Sequence, residues 1–230
     1  MEHPMADIER NVRETRERIS RAAELAGRNP NEITLVAVTK TVERPEVDHA
    51  YALGLRHFGE NRVQAAQAKY AVPLPADAVL HLIGHLQTNK AQAAVRLFHM
   101  IESVDRRSLI DALQRRAEIA QRSIDILIQV NIAGEIQKSG CPPDEAAALV
   151  AHALEQPHLR LRGLMTIAPL VNNAEDTRPV FQGLRILRDR LWEEFPTADL
   201  QHLSMGMTND FEIAIQEGAT IVRIGRALFG

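Results

Sequence analysis

The sequence has little of what would mark a secreted or zinc-stabilised protein. Only one of its 230 residues is a cysteine, Cys141. A single cysteine excludes an internal disulfide and a cysteine-based zinc site, and it is typical of a reducing compartment. The first twenty residues carry charges throughout and lack the apolar core of a signal peptide. The sequence therefore predicts a cytoplasmic protein in which Cys141 is a reduced thiol.

Long apolar runs and an excess of charge of one sign are also missing. No run reaches the length that a bilayer-spanning helix needs. Lysine and arginine total 27 against 30 aspartate and glutamate residues, a formal net charge of -3. This near balance gives no support for nucleic acid or an anionic membrane as a partner. We expect a soluble globular protein that binds neither.

The chain shows no Pro/Ser-rich linker and no break in composition, so we expect one domain over residues 1–230. An amphipathic helix comes first and ends near Gly27. Apolar runs rich in β-branched residues then alternate with helical patterns, in eight strand-then-helix units. This order predicts an α/β fold, a (β/α)8 TIM barrel with an extra N-terminal helix. An open doubly wound sheet is the alternative, but Thr39-Lys40-Thr41 stands where its Gly-rich first turn would be.

The candidate site follows from the fold, because (β/α)8 barrels carry their sites at the C-terminal ends of the strands. The predicted strand ends share small, polar and basic residues: Lys40, Gly59-Glu60-Asn61, Gly84-His85, Ser204-Met205-Gly206 and Arg223-Ile224-Gly225-Arg226. We expect these residues to meet at one end of the barrel.

Lys40 ends a fully apolar strand, which is an unusual place for a lysine. A desolvated lysine has its ammonium form disfavoured, so that a neutral amine is free to attack a carbonyl. The alternative is a side chain that extends out of the barrel mouth into solvent. Taken alone, Lys40 leaves both interpretations open.

Two glycine-containing turns supply the other half of the site. LSMGMTND (203–210) and RIGR (223–226) each include a predicted strand end. Small residues and hydroxyls at such turns allow backbone N–H groups to hold an anion, and the last two loops of a (β/α)8 barrel commonly bind phosphate. A lysine that shares a site with a phosphate suits a ligand with an aldehyde at one end and a phosphate at the other. Pyridoxal 5'-phosphate (PLP) is such a ligand.

Seven short segments carry a family resemblance: AVTKT, HFGENRVQ, HLIGHLQTNK, SVD, GLMTIAP, LSMGMTND and VRIGRALFG. In this order and spacing they resemble the pyridoxal phosphate homeostasis protein family, the YggS/PROSC-type proteins. The resemblance runs from about Leu35 to Gly230. It implies a fold-type III barrel like the N-terminal domain of alanine racemase, with PLP held as an internal aldimine on Lys40.

The resemblance also implies roles for six further residues: Ser204, Gly206, Gly225 and Arg226 around the phosphate, Arg223 at the pyridine nitrogen, and Asn61 close to the ring. The family often has serine at the positions of Thr39 and Thr208, and threonine at that of Arg226. The guanidinium and backbone N–H of Arg226 can replace a hydroxyl contact to phosphate.

Arg223 has a chemical consequence of its own. An arginine neither accepts a proton nor loses its own, so at the pyridine nitrogen it disfavours the pyridinium form. The cofactor then becomes a poor electron sink. Enzymes that need strong carbanion stabilisation usually place a carboxylate there instead.

Two classes of function remain in contention: a non-catalytic carrier that stores, buffers or delivers PLP to apoenzymes, and a PLP-dependent racemase or related fold-type III enzyme. The chain ends directly after the eighth strand, so we expect no second domain and a monomer. The only tyrosines, Tyr51 and Tyr70, are predicted on helices outside the barrel mouth. Two-base proton transfer needs groups on both faces of the substrate Cα, so these features favour the carrier. A Schiff-base aldolase for a phosphorylated sugar is a third interpretation, and it leaves Arg223 unexplained.

Four further residues have competing interpretations. His81 and His85 lie about 13 Å apart on an extended strand, so no metal site is predicted; we expect His81 in the barrel and His85 at the pocket rim. Glu60 is either a general base or a stabiliser of the next helix N-terminus. Lys138, in the loop after the fifth strand, is either an exposed loop lysine or a second cofactor contact during loading.

Overall fold

The strands come from the short apolar runs of the sequence. The computed structural model describes residues 4–135 and 139–230, and these residues contain eight strands: β1 (Thr34–Val38), β2 (His57–Glu60), β3 (Val79–Leu82), β4 (Met100–Val104), β5 (Ile124–Gln129), β6 (Leu159–Met165), β7 (His202–Ser204) and β8 (Ile221–Ile224). They pair in chain order, and the parallel pairing of β8 with β1 closes the barrel.

Helices cover the outside of the barrel, one after each strand: α2 (Arg44–Ala52), α3 (Val63–Lys69), α4 (Ala91–Leu97), α5 (Arg107–Ile119), α6 (Ala146–Leu154), α7 (Arg178–Glu194), α8 (Phe211–Gln216) and α9 (Arg226–Phe229). A further helix, α1 (Pro4–Leu25), precedes them and packs on α2, α8 and α9. Its predicted apolar face is buried there, including Ile8, Val12 and Ile19. The helix α1 therefore covers the layer where the last and first units meet.

The inside of the barrel has an apolar and a polar part. Neighbouring strand residues point to opposite sides, so every second residue faces inward. The apolar part is a cluster of Val36, Met100, Leu127, Met165 and Ile221. Glu102 lies two residues after Met100 on β4, and Arg223 lies two residues after Ile221 on β8. Both of these charged residues are also buried. The polar part of the interior therefore lies toward the C-terminal ends of the strands.

The predicted (β/α)8 barrel with an N-terminal helix in front of it is confirmed, because the pairing of β1 with β8 excludes an open sheet. The helix α9 was not predicted, since four residues are too few to show a helical period. None of the helices in the described part of the chain is both long and apolar enough to cross a membrane.

Candidate functional site

A cavity of about 710 Å³ opens at the C-terminal ends of the strands. Small-molecule sites typically measure roughly 300–1,000 Å³. Five of the predicted cofactor-binding residues line it: Lys40, Asn61, Arg223, Gly225 and Arg226. The structure therefore brings the predicted lysine, the asparagine and both arginines into one space.

Lys40 stands just beyond β1 at the wall of this cavity. Its side chain is exposed, and it forms no hydrogen bond or ion pair within the described part of the chain. The expectation of a desolvated lysine is therefore wrong, because the cavity is open above this residue. The alternative, a lysine at the mouth of the barrel, describes it better. Its amine is accessible to a ligand that enters the cavity.

The turn 207–210 joins β7 to α8 and forms one wall of the cavity. The Met207 N–H donates to Oδ1 of Asp210 at 2.6 Å, and the Phe211 N–H donates to the Met207 carbonyl at 2.9 Å. Burial raises the pKa of Asp210, against the opposing effects of the Met207 N–H and the Arg223 charge. These bonds close the turn and hold Thr208 at the cavity wall.

Ser204 and Gly206 lie beneath this turn and do not line the cavity. Gly206 has a φ of 95°, and a Cβ there would lie 2.6 Å from the Cβ of Ala214, so only glycine lets the turn pack on α8. Ser204 is fully buried and its hydroxyl is bonded inside the barrel. Their contacts to a phosphate stay predictions. In this structure both residues support the cavity from below.

Gly225 and Arg226 form another wall, where β8 passes into α9. The first turn of a helix leaves backbone N–H groups without an intrahelical acceptor. The Arg226 side chain is exposed at the same place. With the turn 207–210, this wall offers N–H groups, a hydroxyl and a guanidinium, which together suit a phosphate.

Arg223 reaches the cavity from inside the barrel and is only 4% exposed. Its Nη1 donates to Oγ of Ser204 at 2.5 Å, and its Nη2 donates to the Thr166 carbonyl at 2.8 Å. Burial lowers the pKa of Arg223, and the charges of Glu102 and Asp210 oppose that effect. The guanidinium stays charged, because arginine is not deprotonated in proteins.

A chain of hydrogen bonds continues from Ser204 across the barrel. The Ser204 hydroxyl donates to Oε2 of Glu102 at 2.5 Å, and Nδ1 of His81 lies 2.7 Å from Oε1 of the same carboxylate. The Nε2 of His81 lies 2.9 Å from Nδ1 of His57. Burial alone would raise the pKa of Glu102, but the hydrogen bond and charge of His81, with Arg223 and Ser204, hold it below its ordinary value. The predicted place of His81 inside the barrel is confirmed.

His57, the last residue of this series of hydrogen bonds, makes the free energy of unfolding depend on pH. Burial, followed by the charge of His81, lowers the pKa of His57 from 6.5 to about 4. Between these values the unfolded chain binds a proton that the folded chain does not. A neutral His57 therefore makes its full contribution to the free energy of unfolding above pH 6.5, and this contribution is lost as the pH falls toward 4. Because the ring is partly exposed, we expect roughly 2 kcal/mol over this range.

Urea unfolding of the wild type and of His57→Asn between pH 4.5 and 7.5 measures this contribution. The free energy of unfolding should fall less steeply with acidity in the variant. Part of the slope should persist, since burial also lowers the pKa of His99 and His202. His85→Asn, at an exposed site, is the control and should keep the wild-type slope. Equal slopes for all three proteins would contradict the assignment.

Glu60 lies between the barrel and α3, behind the strand that carries Lys40. Its Oε1 accepts hydrogen bonds from Thr39 Oγ1 at 2.7 Å, Lys69 Nζ at 2.9 Å and Tyr70 Oη at 3.2 Å. Neither predicted role fits, because Glu60 does not line the cavity and its hydrogen-bond partners in the described structure are side chains rather than helix N–H groups. Glu60 instead ties Thr39, the neighbour of Lys40, to the end of α3.

Three other residues that the sequence singled out are not part of the described cavity lining. His85 is exposed, 3.8 Å from Asp105, and does not line the cavity. Cys141 is buried, and burial raises its pKa to about 12, so its thiol is unreactive in the folded state. Lys138 lies outside the described residues. Within the described ranges no group of three or more His, Cys, Asp or Glu side chains is placed to hold a metal ion.

The structure adds two features that the sequence did not single out. The loop after β6 forms an apolar lip on the cavity, with Ile167, Pro169, Leu170 and Val171. Inside the barrel, Glu102 lies beneath Arg223. A signal for Glu102 was present, because an acidic residue in an apolar strand is rarely buried without a partner. The apolar lip gave no such signal, because the sequence of an apolar loop does not show whether it lies against a cavity.

Similarity to known proteins establishes the family. The profile of the family described as "Alanine racemase, N-terminal domain" matches residues 6–230. The pyridoxal phosphate homeostasis protein of Aquifex aeolicus (strain VF5) is 47% identical over 214 residues, which cover 93% of each chain. The protein of the same name from Pseudomonas aeruginosa is 40% identical, over 98% of this chain and 96% of that one.

A solved structure agrees with these relatives. PipY of Synechococcus elongatus PCC7942, determined with PLP bound, has a TM-score of 0.82 and 40% identity to this chain. The match covers 93% of this chain and 100% of PipY. The chain belongs to the pyridoxal phosphate homeostasis protein family, as the sequence segments predicted.

Proposed function

We propose that this protein binds PLP, holds it covalently on Lys40, and stores or delivers it without catalysing a reaction of its own. The observation that carries the proposal is the shared cavity of Lys40, Arg223 and the two turns at the ends of β7 and β8. PLP in the related PipY structure supports the same ligand here. Delivery to PLP-dependent apoenzymes, a monomeric state and a cytoplasmic location are parts of the proposal.

The residues present fit this ligand at both of its ends. The exposed amine of Lys40 can condense with an aldehyde, forming a C=N bond and releasing one water molecule. Gly225, Arg226 and the turn 207–210 offer donors for a phosphate. When bound, PLP supplies the aldehyde and a ring that withdraws electrons. Asn61 and Arg223 are further polar groups of the cavity lining.

The guanidinium of Arg223 supports a carrier rather than an enzyme that needs a strong electron sink. Its N–H groups can donate to a ring nitrogen, whereas it cannot accept a proton from one. Two of its donor positions are fixed by Ser204 and Thr166, which hold the group in place. The ring nitrogen of a bound cofactor would therefore stay unprotonated.

Proton-transfer groups are scarce around Lys40, which also supports a carrier. Apart from Lys40, the ionisable side chains of the described cavity lining are Arg223, Arg226 and Asp210. The arginines do not accept protons, and one Asp210 oxygen accepts from the Met207 N–H. The two tyrosines point elsewhere: Tyr51 donates to Asp77, and Tyr70 bonds to Thr39 and Glu60. Asp210 is thus the one carboxylate of the described lining, and no tyrosine stands there as a second base.

The carrier and the racemase predict opposite results for the loaded protein. Incubated with L-alanine and other L-amino acids, a carrier should form no D enantiomer beyond the level without protein, as measured by chiral chromatography. Mixed with the apo form of a PLP-dependent enzyme, it should restore activity while its own cofactor absorbance falls. Protein whose C=N bond has been reduced with borohydride is the control and should deliver nothing. Sustained racemisation that disappears in Lys40→Ala would overturn the proposal.

A further inference from the structure

We propose that Glu102 is a positioning residue that holds the Arg223 guanidinium at the floor of the cofactor cavity, acting through Ser204 and by its charge. The inference rests on the proposed function, since it explains how this chain presents a fixed cation to a cofactor ring. Glu102 itself does not line the cavity.

The charges of Arg223 and Glu102 are both buried. Glu102 is fully buried, and the Arg223 side chain is 3% exposed, with Nη1 3.9 Å from Oε2 of Glu102. A buried guanidinium without a compensating charge is strongly unfavourable. The other carboxylate that acts on Arg223 belongs to Asp210, and one of its oxygens is engaged by the Met207 N–H. Glu102 is therefore the main counter-charge of Arg223.

The hydrogen bonds that join Arg223 to Glu102 through Ser204 have fixed directions. A guanidinium only donates, so the Ser204 oxygen accepts from Arg223 and the Ser204 hydroxyl proton must point to another acceptor. That acceptor is Oε2 of Glu102, at 2.5 Å. Oε1 of Glu102 is engaged by Nδ1 of His81 at 2.7 Å. Both carboxylate oxygens of Glu102 therefore take part in a hydrogen bond. The donor and the acceptor are fixed at each step from Arg223 through Ser204 to Glu102.

The Arg223 guanidinium is held at two of its nitrogens. Nη1 is held through Ser204, and Nη2 is held by the backbone carbonyl of Thr166. Glu102 is anchored from its other side by His81, which is itself paired with His57. Removing the Glu102 charge would weaken the attachment through Ser204 and leave a buried cation without its main counter-charge. The guanidinium would then be free to turn or to admit water.

The test is a double-mutant cycle on Glu102 and Arg223, read out on both the cofactor-free and the loaded protein. In the cofactor-free protein, Glu102→Gln should lower Tm by on the order of 10 °C, because it leaves Arg223 without its counter-charge. Glu102→Gln combined with Arg223→Gln should regain at least half of that loss, since no buried charge remains. A purely structural role for Glu102 predicts no regain.

The loaded protein provides the second readout. Glu102→Gln should weaken PLP binding at least about tenfold, whereas in the Arg223→Gln background the same change should alter the Kd by less than about twofold. The control is Glu217→Gln, which removes a carboxylate bound to Arg178 and Arg185 outside the cavity lining. It should leave the Kd unchanged. Additive effects of Glu102→Gln and Arg223→Gln on either readout would overturn the inference.

Two further results remain informative. If Glu102→Gln does not fold, Ser204→Ala breaks the bridge while keeping both charges, and its effect on the Kd should vanish in the Arg223→Gln background. If the wild type does not bind PLP at all, the proposed function fails. The Tm cycle on cofactor-free protein would still decide whether Glu102 holds Arg223.

Discussion

Lys40→Ala is expected to bind PLP at least about 100-fold more weakly than the wild type, a loss of about 2.7 kcal/mol of binding free energy. The variant keeps the phosphate-binding turns and Arg223 but has no amine in the cavity to form the C=N bond. Because Lys40 is exposed and forms no hydrogen bond or ion pair within the described residues, its removal should leave Tm of the cofactor-free protein unchanged. Equilibrium dialysis gives the Kd, and thermal unfolding gives the Tm.

A matched lysine serves as the control for this variant. Lys90 lies at the end of a short 3-10 turn before α4 and does not line the cavity. Lys90→Ala should bind PLP like the wild type. Lys138→Ala tests the separate prediction of a second contact during loading, and unchanged loading and transfer rates would remove that idea. Retention of wild-type affinity by Lys40→Ala would contradict covalent binding at this residue.

Gly84→Ala is expected to lower stability by about 3 kcal/mol or more, because the new methyl group would meet backbone atoms. A Cβ at Gly84 would lie 2.2 Å from the Asn61 carbonyl oxygen and 2.7 Å from its Cα. A side chain could rotate away from such an overlap, but the ends of β2 and β3 must move apart to relieve it. For a chain of this length Tm should fall by roughly 6–12 °C. PLP affinity should fall as well, since Asn61 lines the cavity.

Gly183→Ala provides the comparison for this prediction. A Cβ at Gly183 would meet only the Cγ2 methyl of Ile132, at 2.9 Å, which is a side-chain atom of a loop residue rather than backbone. Alanine also has the better helix propensity, by about 1 kcal/mol. This variant should therefore lower Tm much less than Gly84→Ala does. If Gly84→Ala and Gly183→Ala behaved alike in Tm and Kd, the close approach of Asn61 to Gly84 would be incorrect.

The fold was predictable because its signals are local. The run ITLVAVTK is apolar on both faces, as a strand of a parallel barrel must be, and seven similar runs follow it at intervals filled by helical patterns. The site position then follows from the rule that such barrels act at the C-terminal ends of their strands. That rule alone predicts that Lys40, Asn61, Arg223, Gly225 and Arg226 lie together.

The hydrogen bonds that hold the site residues in place could not be predicted, because they join residues that are far apart in the sequence. The bond from Ser204 to Glu102 joins positions 102 residues apart and exists only once the barrel has closed. The exposure of Lys40 depends on how far the neighbouring loops cover the cavity, which no strand pattern reports. The helical period of α7 that includes the buried Leu184 and Leu191 also includes Trp192, which is 40% exposed, with the Arg188 guanidinium over its ring. A helical period predicts the direction of the buried face of a helix, but it does not predict which residues at the edge of that face are exposed.

The most direct test of the account is the site of covalent attachment. The sequence contains four lysines, at positions 40, 69, 90 and 138. The purified protein is loaded with PLP, its absorption spectrum is recorded, the C=N bond is reduced with borohydride, and the modified peptide is identified by mass spectrometry. We expect an imine absorption band and one label per chain, on Lys40. A colourless protein that cannot be loaded, or a label on one of the other three lysines, would contradict it.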